Sequence, residues 1–434
     1  MHSDQAISHA VTLNINKCKG CTTCARLCPT EAIRVRNGKA QIFYDSCIDC
    51  GNCISVCPHH AVQAVVDRFE DYKDRYAYCV ALTAPALYGQ FLNLESVDTV
   101  LNGLLKIGFD DVFDVAYAAE MVSNYTRRLL QEDKLKRPVI SSTCPAVIRL
   151  IRARFPSLCD HILPVVAPVH IAAKMARDLA VKKTGLPPEK IGIFYISSCA
   201  AKVTDIKNPI GIEKSDVDHV LSIRDIFIPL LKGMKNLPGG LQKLGKSGLI
   251  GIGWAASGGE GAALLKEKYF ATDGIDHVVQ VLEQLEDGKF LSGTFIELKA
   301  CTCGCVGGAL AVENPFVAMA RIHQVCRDLP FTHALTPEDA DYEAYMNWTS
   351  PLEVPETHTR GEGMAFALQE VVRIEELKKQ LPGLDCGACG APTCAILAKD
   401  IVRGSAALTD CVFMSKQSSS QPDPENESEE KNDK

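Results

Sequence analysis

TFIELKACTCGCVGGAL, residues 294–310, runs from an apolar, β-rich segment directly into three cysteines at alternate positions, Cys301, Cys303 and Cys305, set among small residues with no histidine nearby. Two other strand-like runs end the same way. RPVISS leads to Cys144 in ISSTCPAVIRLI, and KIGIFYIS leads to Cys199 in YISSCAAKVTD. Around them, further β-rich runs (YCVALTA, DVFDVAY, GLIGIGW) alternate with amphipathic patterns such as AAEMVSNYTRRLLQED, which predicts an α/β domain with largely parallel pairing. In such a sheet, ligands collect at the carboxyl ends of the strands. Helix N-termini there supply N–H groups and a dipole that favours thiolate. Cys144, Cys199, Cys301 and Cys305 are therefore the expected ligands of one cubane site, with a buried structural thiol as the alternative for any single one.

The rest of the composition sets the class. The 434 residues allow several domains and a sizeable core, and the apolar (47%) and charged (23%) fractions are those of a soluble globular protein. A net charge of −7 with no basic tract argues against nucleic acid as a partner. The start, MHSDQAISHAVTLNINKCKG, lacks a charged segment followed by an apolar one, and no long apolar run follows, so a cytoplasmic protein without a membrane span is expected. In that reducing compartment, twenty cysteines at short spacings point to metal ligation rather than disulfides.

Two copies of an internal repeat carry eight of those cysteines. CKGCTTCARLC (18–28) and CIDCGNCISVC (47–57), each followed by proline, match the pattern of two 4Fe-4S clusters in which the fourth cysteine of each run ligates the other cluster. One set is then Cys18, Cys21, Cys24 and Cys57; the other is Cys47, Cys50, Cys53 and Cys28. Soft thiolates suit iron in a sulfide cage, and the tight spacing lets one loop wrap three corners of a cubane. A further cluster, CGACGAPTC plus Cys411, gives Cys386, Cys389, Cys394 and Cys411. Zinc is the alternative metal in each case, and is better tolerated by the looser third pattern. GLQKLGKS (240–247) fits a phosphate-loop pattern, but no strand precedes it and a strand-like run follows, so it is set aside. SGGEGAALL is read as a glycine-rich helix start that packs near the cluster site. The stretch KQSSSQPDPENESEEKNDK has nothing apolar to bury and is expected to be disordered.

The junction motifs resemble those of FeFe hydrogenases: SSTCPA is similar to the family's TSCCP, SSCAAK to PCxxK, and ELKACTCGCVGGA to ExMACxGGCxxGG. APA (84–86), GFDDVFDVAYAAE and VLSIRDI share the likeness, which covers residues 1 to about 330. The resemblance implies an H-cluster, a cubane joined through Cys305 to a binuclear iron subsite with CO, cyanide and dithiolate ligands, and it implies that Lys202 holds a cyanide. It also makes Cys303, which stands where the family has glycine, a spectator, like Cys79, Cys159 and Cys326.

Several positions depart from the family pattern. The family's proton-relaying cysteine is Thr143 here, which does not titrate near neutrality. The methionine two residues before Cys301 is Lys299, and acidic positions of the usual proton path fall at Thr126 and Leu129. Thr143 and Lys299 therefore join Cys305 and Lys202 as the residues that set the chemistry.

The resulting expectation is an α/β H-cluster domain of FeFe-hydrogenase type (78–335). It follows an N-terminal α+β dicluster ferredoxin domain (1–77) and is joined by a helical connector (336–380) to a small C-terminal 4Fe-4S domain (381–415) and an acidic tail (416–434). Without a PAS domain, such losses resemble the sensory branch of the family. That implies slow, reversible H2 cleavage with electrons relayed to a regulatory partner such as a kinase or phosphatase, a ferredoxin-like redox partner, and maturases to build the subsite. The alternatives are a catalytic hydrogenase with another proton path, and a non-catalytic iron–sulfur relay or scaffold without the binuclear subsite.

Overall fold

The computed structural model describes residues 8–132, 134–235, 237, 240–265, 267–290, 293–331, 337–353 and 364–418. The chain forms two compact units: Met1–Thr12, Ser46–Ser55 and Val62–Pro355 in one, and Leu13–Asp45, Val56–Ala61 and Glu356–Lys434 in the other. The repeat region thus contributes to both. Most of the acidic tail, residues 419–434, lies outside the described residues, while its first residues continue the helix Val412–Ser418.

The strands that frame the site in the larger unit are β1 (Tyr78–Thr83), β2 (Asp111–Asp114), β3 (Val139–Ile140), β4 (Ile191–Ser197), β5 (His219–Ser222), β6 (Tyr269–Asp273) and β7 (Phe295–Lys299). They form two parallel sheets, one ordered β2-β1-β4-β5 and the other β6-β7-β3. β4 is buried along its whole length and β1 at all but its first residue, as expected of strands covered on both faces. The two faces sort by alternation. Val80, Leu82, Ile193 and Tyr195 pack into one apolar cluster, and Cys79, Ala81, Phe194 and Ile196 into the other.

At the carboxyl ends the chain turns into helices whose starts are locally encoded. Asp114 caps the helix Val115–Gln131 by accepting the Ala116 N–H, and Ser96 caps Val97–Lys106 through Asp98 N–H. After β3, Cys144 is the N-cap of Pro145–Arg154, with proline at the first helical position where its missing N–H costs nothing. After β4, Cys199 is the N-cap of Ala200–Lys207, and after β7 the chain enters a short turn at Cys305–Gly307.

Four segments differ from the sequence expectation. GLIGIGW is a helix, Leu249–Gly253, not a strand: Glu120 accepts the Gly248 N–H at 2.5 Å, and Gly251 lies so close to the neighbouring helix that a Cβ there would meet Ala116 O at 2.2 Å. A short buried apolar run fits either geometry until its neighbours decide. β5 and β6 were not among the expected strands. In LTPEDADYEAYMNW, at the start of the expected helical connector, Pro337–Tyr345 is a 3-10 segment and Met346–Trp348 is not helical.

The smaller unit holds the helix Thr23–Arg26 and an antiparallel hairpin, Ile33–Arg36 with Lys39–Ile42. The helices Met364–Gln380 and Cys394–Val402 close a small core of Leu377, Leu381, Ile396, Leu397 and Cys411. Among the described residues no helix is long and apolar enough to cross a membrane.

Candidate functional site

Cys144, Cys199, Cys301 and Cys305 converge from three strand ends, each partly exposed and none in a disulfide. Burial pushes the Cys199 thiol up to about 12, with Cys144 and Cys305 adding to it. Cys144 is raised by burial and by Cys305, and Cys301 by burial and by Cys199, Cys144 and Cys305. Every pair among the four therefore resists joint ionisation. The backbone prepares the opposite outcome: amides of Ala300 and Val147 reach Cys144, and that of Lys202 reaches Cys199. Four thiols that repel as anions, two of them offered N–H donors, fit a polycationic iron–sulfide core, which supplies the missing positive charge.

Lys202 faces the same space. Burial alone would lower its pKa, but Tyr195, Cys305, Cys199 and Cys144 together raise it, so its ammonium stays charged beside the thiols. The loop of small residues is shaped by close approach. A Cβ at Gly308 would lie 2.2 Å from Ser198 O, and Ser198 Oγ donates to Cys305 O at 2.7 Å. Cys303 is not one of these four: it has a positive φ of 62°, its N–H donates to Asp273 at 2.8 Å, and its side chain sits in the apolar core.

Thr143 and Lys299 lead to groups that sequence reasoning missed. Thr143 Oγ1 donates to Glu260 Oε2 at 2.8 Å, and Ser141 Oγ lies 2.7 and 2.9 Å from the two oxygens of the same carboxyl. Glu260 is only 3% exposed; burial, then the Glu297 carboxylate, push its pKa up to about 7 against the pull of Lys299. Lys299 is anchored by Glu297 at 2.9 Å and by the carbonyls of Trp254 and Ala256 at 2.7 and 2.9 Å. Glu297 also accepts the Gly258 and Gly261 N–H groups. The only sign of Glu260 in the sequence is an acid inside the otherwise small and apolar run SGGEGAALL. Thr126 is buried and Leu129 partly so, with no acid at either position.

The repeat cysteines divide between the units. Cys18, Cys21, Cys24 and Cys57 all lie in the smaller one, where burial, Cys21, Cys18 and Cys57 push Cys24 up to about 11. Ala40 N–H donates to Cys18 Sγ and Ala61 N–H to Cys57 Sγ, both at 3.3 Å. Cys28 Sγ accepts the Ala32 N–H at 3.2 Å. Cys47, Cys50 and Cys53 lie in the larger unit, where Cys47 shares a tight group with His9 and Asp49, themselves 2.7 Å apart. Cys50 adds to the raised pKa of Cys301, and both line one cavity of about 470 Å³. Gly51 beside it has no room for a side chain, since a Cβ would meet Ala309 Cβ at 2.7 Å.

In the third set, burial, Cys411 and Cys386 raise the Cys389 thiol, while Ala391 N–H and Arg36 pull it down. Cys394 packs in the same small core. The phosphate-loop look-alike is filled by protein: Asp98 accepts the Leu244 and Gly245 N–H groups at 2.8 and 2.7 Å, and Ser247 donates to Asp114. A helix does follow it, but a helix, Ile223–Lys235, also precedes it where a phosphate loop needs a strand.

Comparison with known proteins agrees with this sulfur chemistry. A family model for "Iron only hydrogenase large subunit, C-terminal domain" matches residues 77–243, a "4Fe-4S dicluster domain" matches 10–58, and an Fe-S cluster model matches 381–413. The NADP-reducing hydrogenase subunit HndD of Solidesulfovibrio fructosivorans is 25% identical over 287 residues, 53% of this chain and 49% of that protein. Iron hydrogenase 1 of Clostridium pasteurianum is 23% identical over 276 residues, 53% of this chain and 48% of that one. The chain thus spans about half the length of these relatives. Among solved structures, a variant of the [FeFe]-hydrogenase HydA1 from Chlamydomonas reinhardtii superimposes with a TM-score of 0.48 at 17% identity, covering 62% of this chain and 90% of that one.

Proposed function

We propose that this FeFe-hydrogenase-like iron–sulfur chain binds H2, cleaves it slowly and reversibly, and passes the electrons through its clusters to a regulatory partner. Cys144, Cys199, Cys301 and Cys305 would hold the cubane, with Cys305 also bridging to the binuclear iron subsite and Lys202 giving its ammonium to a cyanide ligand. The observation that carries the reading is the convergence of four mutually repelling thiols on one charged lysine. Once bound, the iron group would supply the binding and polarisation of H2 and the redox capacity.

The chain's own residues would handle the proton. A hydroxyl does not titrate near neutrality, yet it can pass a proton by accepting one as it donates another. Thr143 is hydrogen-bonded to Glu260, whose raised pKa near 7 suits a group that must both take and release protons at working pH. Lys299 and Glu297, buried together, would hold the local field in which Glu260 titrates. This arrangement also favours the second reading, a hydrogenase with a non-standard proton path. Turnover separates the two: slow exchange of H2 isotopes supports the sensory reading, and rapid H2 production supports the catalytic one. Infrared bands of CO and cyanide on protein matured with its maturases test both against a plain iron–sulfur scaffold. Absence of those bands with full cubane content would leave only the scaffold.

A further inference from the structure

We infer that the C-terminal cysteine module exchanges electrons directly with the iron–sulfur site of Cys18, Cys21, Cys24 and Cys57, through the hairpin Ile33–Ile42 and a clamp of Arg34, Arg36 and Asp400. This rests on the reading that both cysteine sets hold 4Fe-4S clusters.

The two sets are far apart in sequence, but the smaller unit brings their ligand loops together. Val35 N–H donates to Gly390 O, next to Cys389, at 2.8 Å. Across the hairpin Val35 faces Ala40, and Ala40 N–H donates to Cys18 Sγ at 3.3 Å. With both N–H groups directed outward, this is the closely spaced, non-hydrogen-bonded type of antiparallel pair. One residue pair of a two-stranded ribbon therefore connects the backbone beside Cys389 to the sulfur of Cys18. The fit is close enough to require glycine: a Cβ at Gly390, whose φ is 82°, would lie 1.8 Å from Val35 O. A second contact joins the loops directly. A Cβ at Gly387, the neighbour of Cys386, would meet Cγ of Arg26 at 3.0 Å, and Arg26 ends the helix that carries Cys24.

The clamp fixes this approach and sets its charge. The buried Asp400 carboxylate takes Arg34 Nε at 2.7 Å and Arg36 Nη2 at 3.2 Å, and Arg36 Nη1 donates to Cys389 O at 2.8 Å. Two guanidinium groups and one carboxylate leave a net positive charge beside a ligand of the C-terminal site. That charge favours the reduced, more negative cluster and raises its potential. In the exchange, one electron leaves one reduced cluster and reduces the other, oxidised one; no bond forms or breaks and no proton moves.

The test uses anaerobically reconstituted, full-length holoprotein and electron paramagnetic resonance of the reduced clusters, with the signal of the Cys18 site assigned by its loss in Cys21→Ser. In the wild type that signal is expected to be broadened by a magnetic neighbour, and to sharpen in Cys386→Ala/Cys389→Ala. Arg36→Gln keeps the Arg34–Asp400 pair, so at unchanged iron content it should lower the potential of the C-terminal cluster, a shift that a merely structural role would not produce. Both clusters present but magnetically independent, with an unchanged potential in Arg36→Gln, would overturn the inference alone. A wild-type module without an iron–sulfur signal would overturn the underlying reading as well.

Discussion

Glu260→Gln keeps the shape of the side chain and an acceptor for Ser141 and Thr143, but it can no longer take up or release a proton. In the wild type, burial and the Glu297 carboxylate hold the Glu260 proton from the ordinary 4.5 up to about 7. At ~1.4 kcal/mol per pH unit, that interval corresponds to roughly 3 kcal/mol of disfavoured ionisation. The sign follows from which state binds more protons. Between about pH 4.5 and 7 the unfolded carboxyl has ionised while the folded one is still protonated, so stability falls as pH rises through this window and levels off above it. Gln does not titrate, so the variant should lack this part of the fall and be the more stable protein above neutrality. Its H2 isotope exchange should drop by about 10²- to 10⁴-fold, the usual cost of losing a positioned acid–base group. The assay is the apparent melting temperature of the holoprotein near pH 5 and near pH 8, with exchange rates on the same preparations. Only the sign of the difference is read, since a chain of two units need not unfold in one step. A variant with wild-type pH dependence and undiminished exchange would refute the assignment of Glu260 to the proton route.

Thr143→Cys should raise isotope exchange or H2 production, incompletely because Thr126 and Leu129 still interrupt the usual path, whereas Thr143→Val should lower it toward the Glu260→Gln level; both are read by exchange mass spectrometry. Fully matured protein should contain roughly 18 iron per chain, four cubanes plus two iron atoms, and protein made without maturases about 16; elemental analysis showing stoichiometric zinc with only about eight iron would reduce it to a ferredoxin with structural metal sites. Lys202→Met, similar in length but uncharged, should weaken retention of the binuclear subsite and shift its cyanide bands in the infrared. Gly308→Ala would place a methyl group 2.2 Å from Ser198 O, and should cost about 1–3 kcal/mol while lowering cubane occupancy, read by thermal melting and iron content.

The parallel α/β plan was readable because its strands are doubly covered: runs such as IGIFYIS are apolar at nearly every position, and only such strands need be. The ends of three of them, Val139–Ile140, Ile191–Ser197 and Phe295–Lys299, were readable because cysteine and small residues follow each. The iron–sulfur modules were carried by spacing alone, since ligand loops are short and local. GLIGIGW was misread because its helical state depends on Glu120 and on close contact with Ala116, neither adjacent in sequence. Glu260 was missed for a related reason. Its meaning comes from Thr143 and Ser141, more than a hundred positions away, and from a Glu297 that local reading treated as part of a strand. The contact between the third cysteine set and the hairpin was equally invisible, because two hairpin arginines and a helix aspartate look ordinary in sequence until they meet.

The Arg34–Asp400 pair also has a consequence for how the protein is made. Its members are 366 positions apart. At the usual pace of 5–20 residues per second, the ribosome reaches Asp400 roughly 20 to 70 s after Arg34. During that interval Val35 lacks its Gly390 acceptor and Arg34 its carboxylate, so the early hairpin must wait in a nascent chain for partners that are still untranslated. Iron–sulfur loading at Cys18, Cys21, Cys24 and Cys57 can begin before that wait ends, but the packing that covers the hairpin follows only once Gly390 and Asp400 are made, so a sulfur site whose ligands emerge early is sealed late.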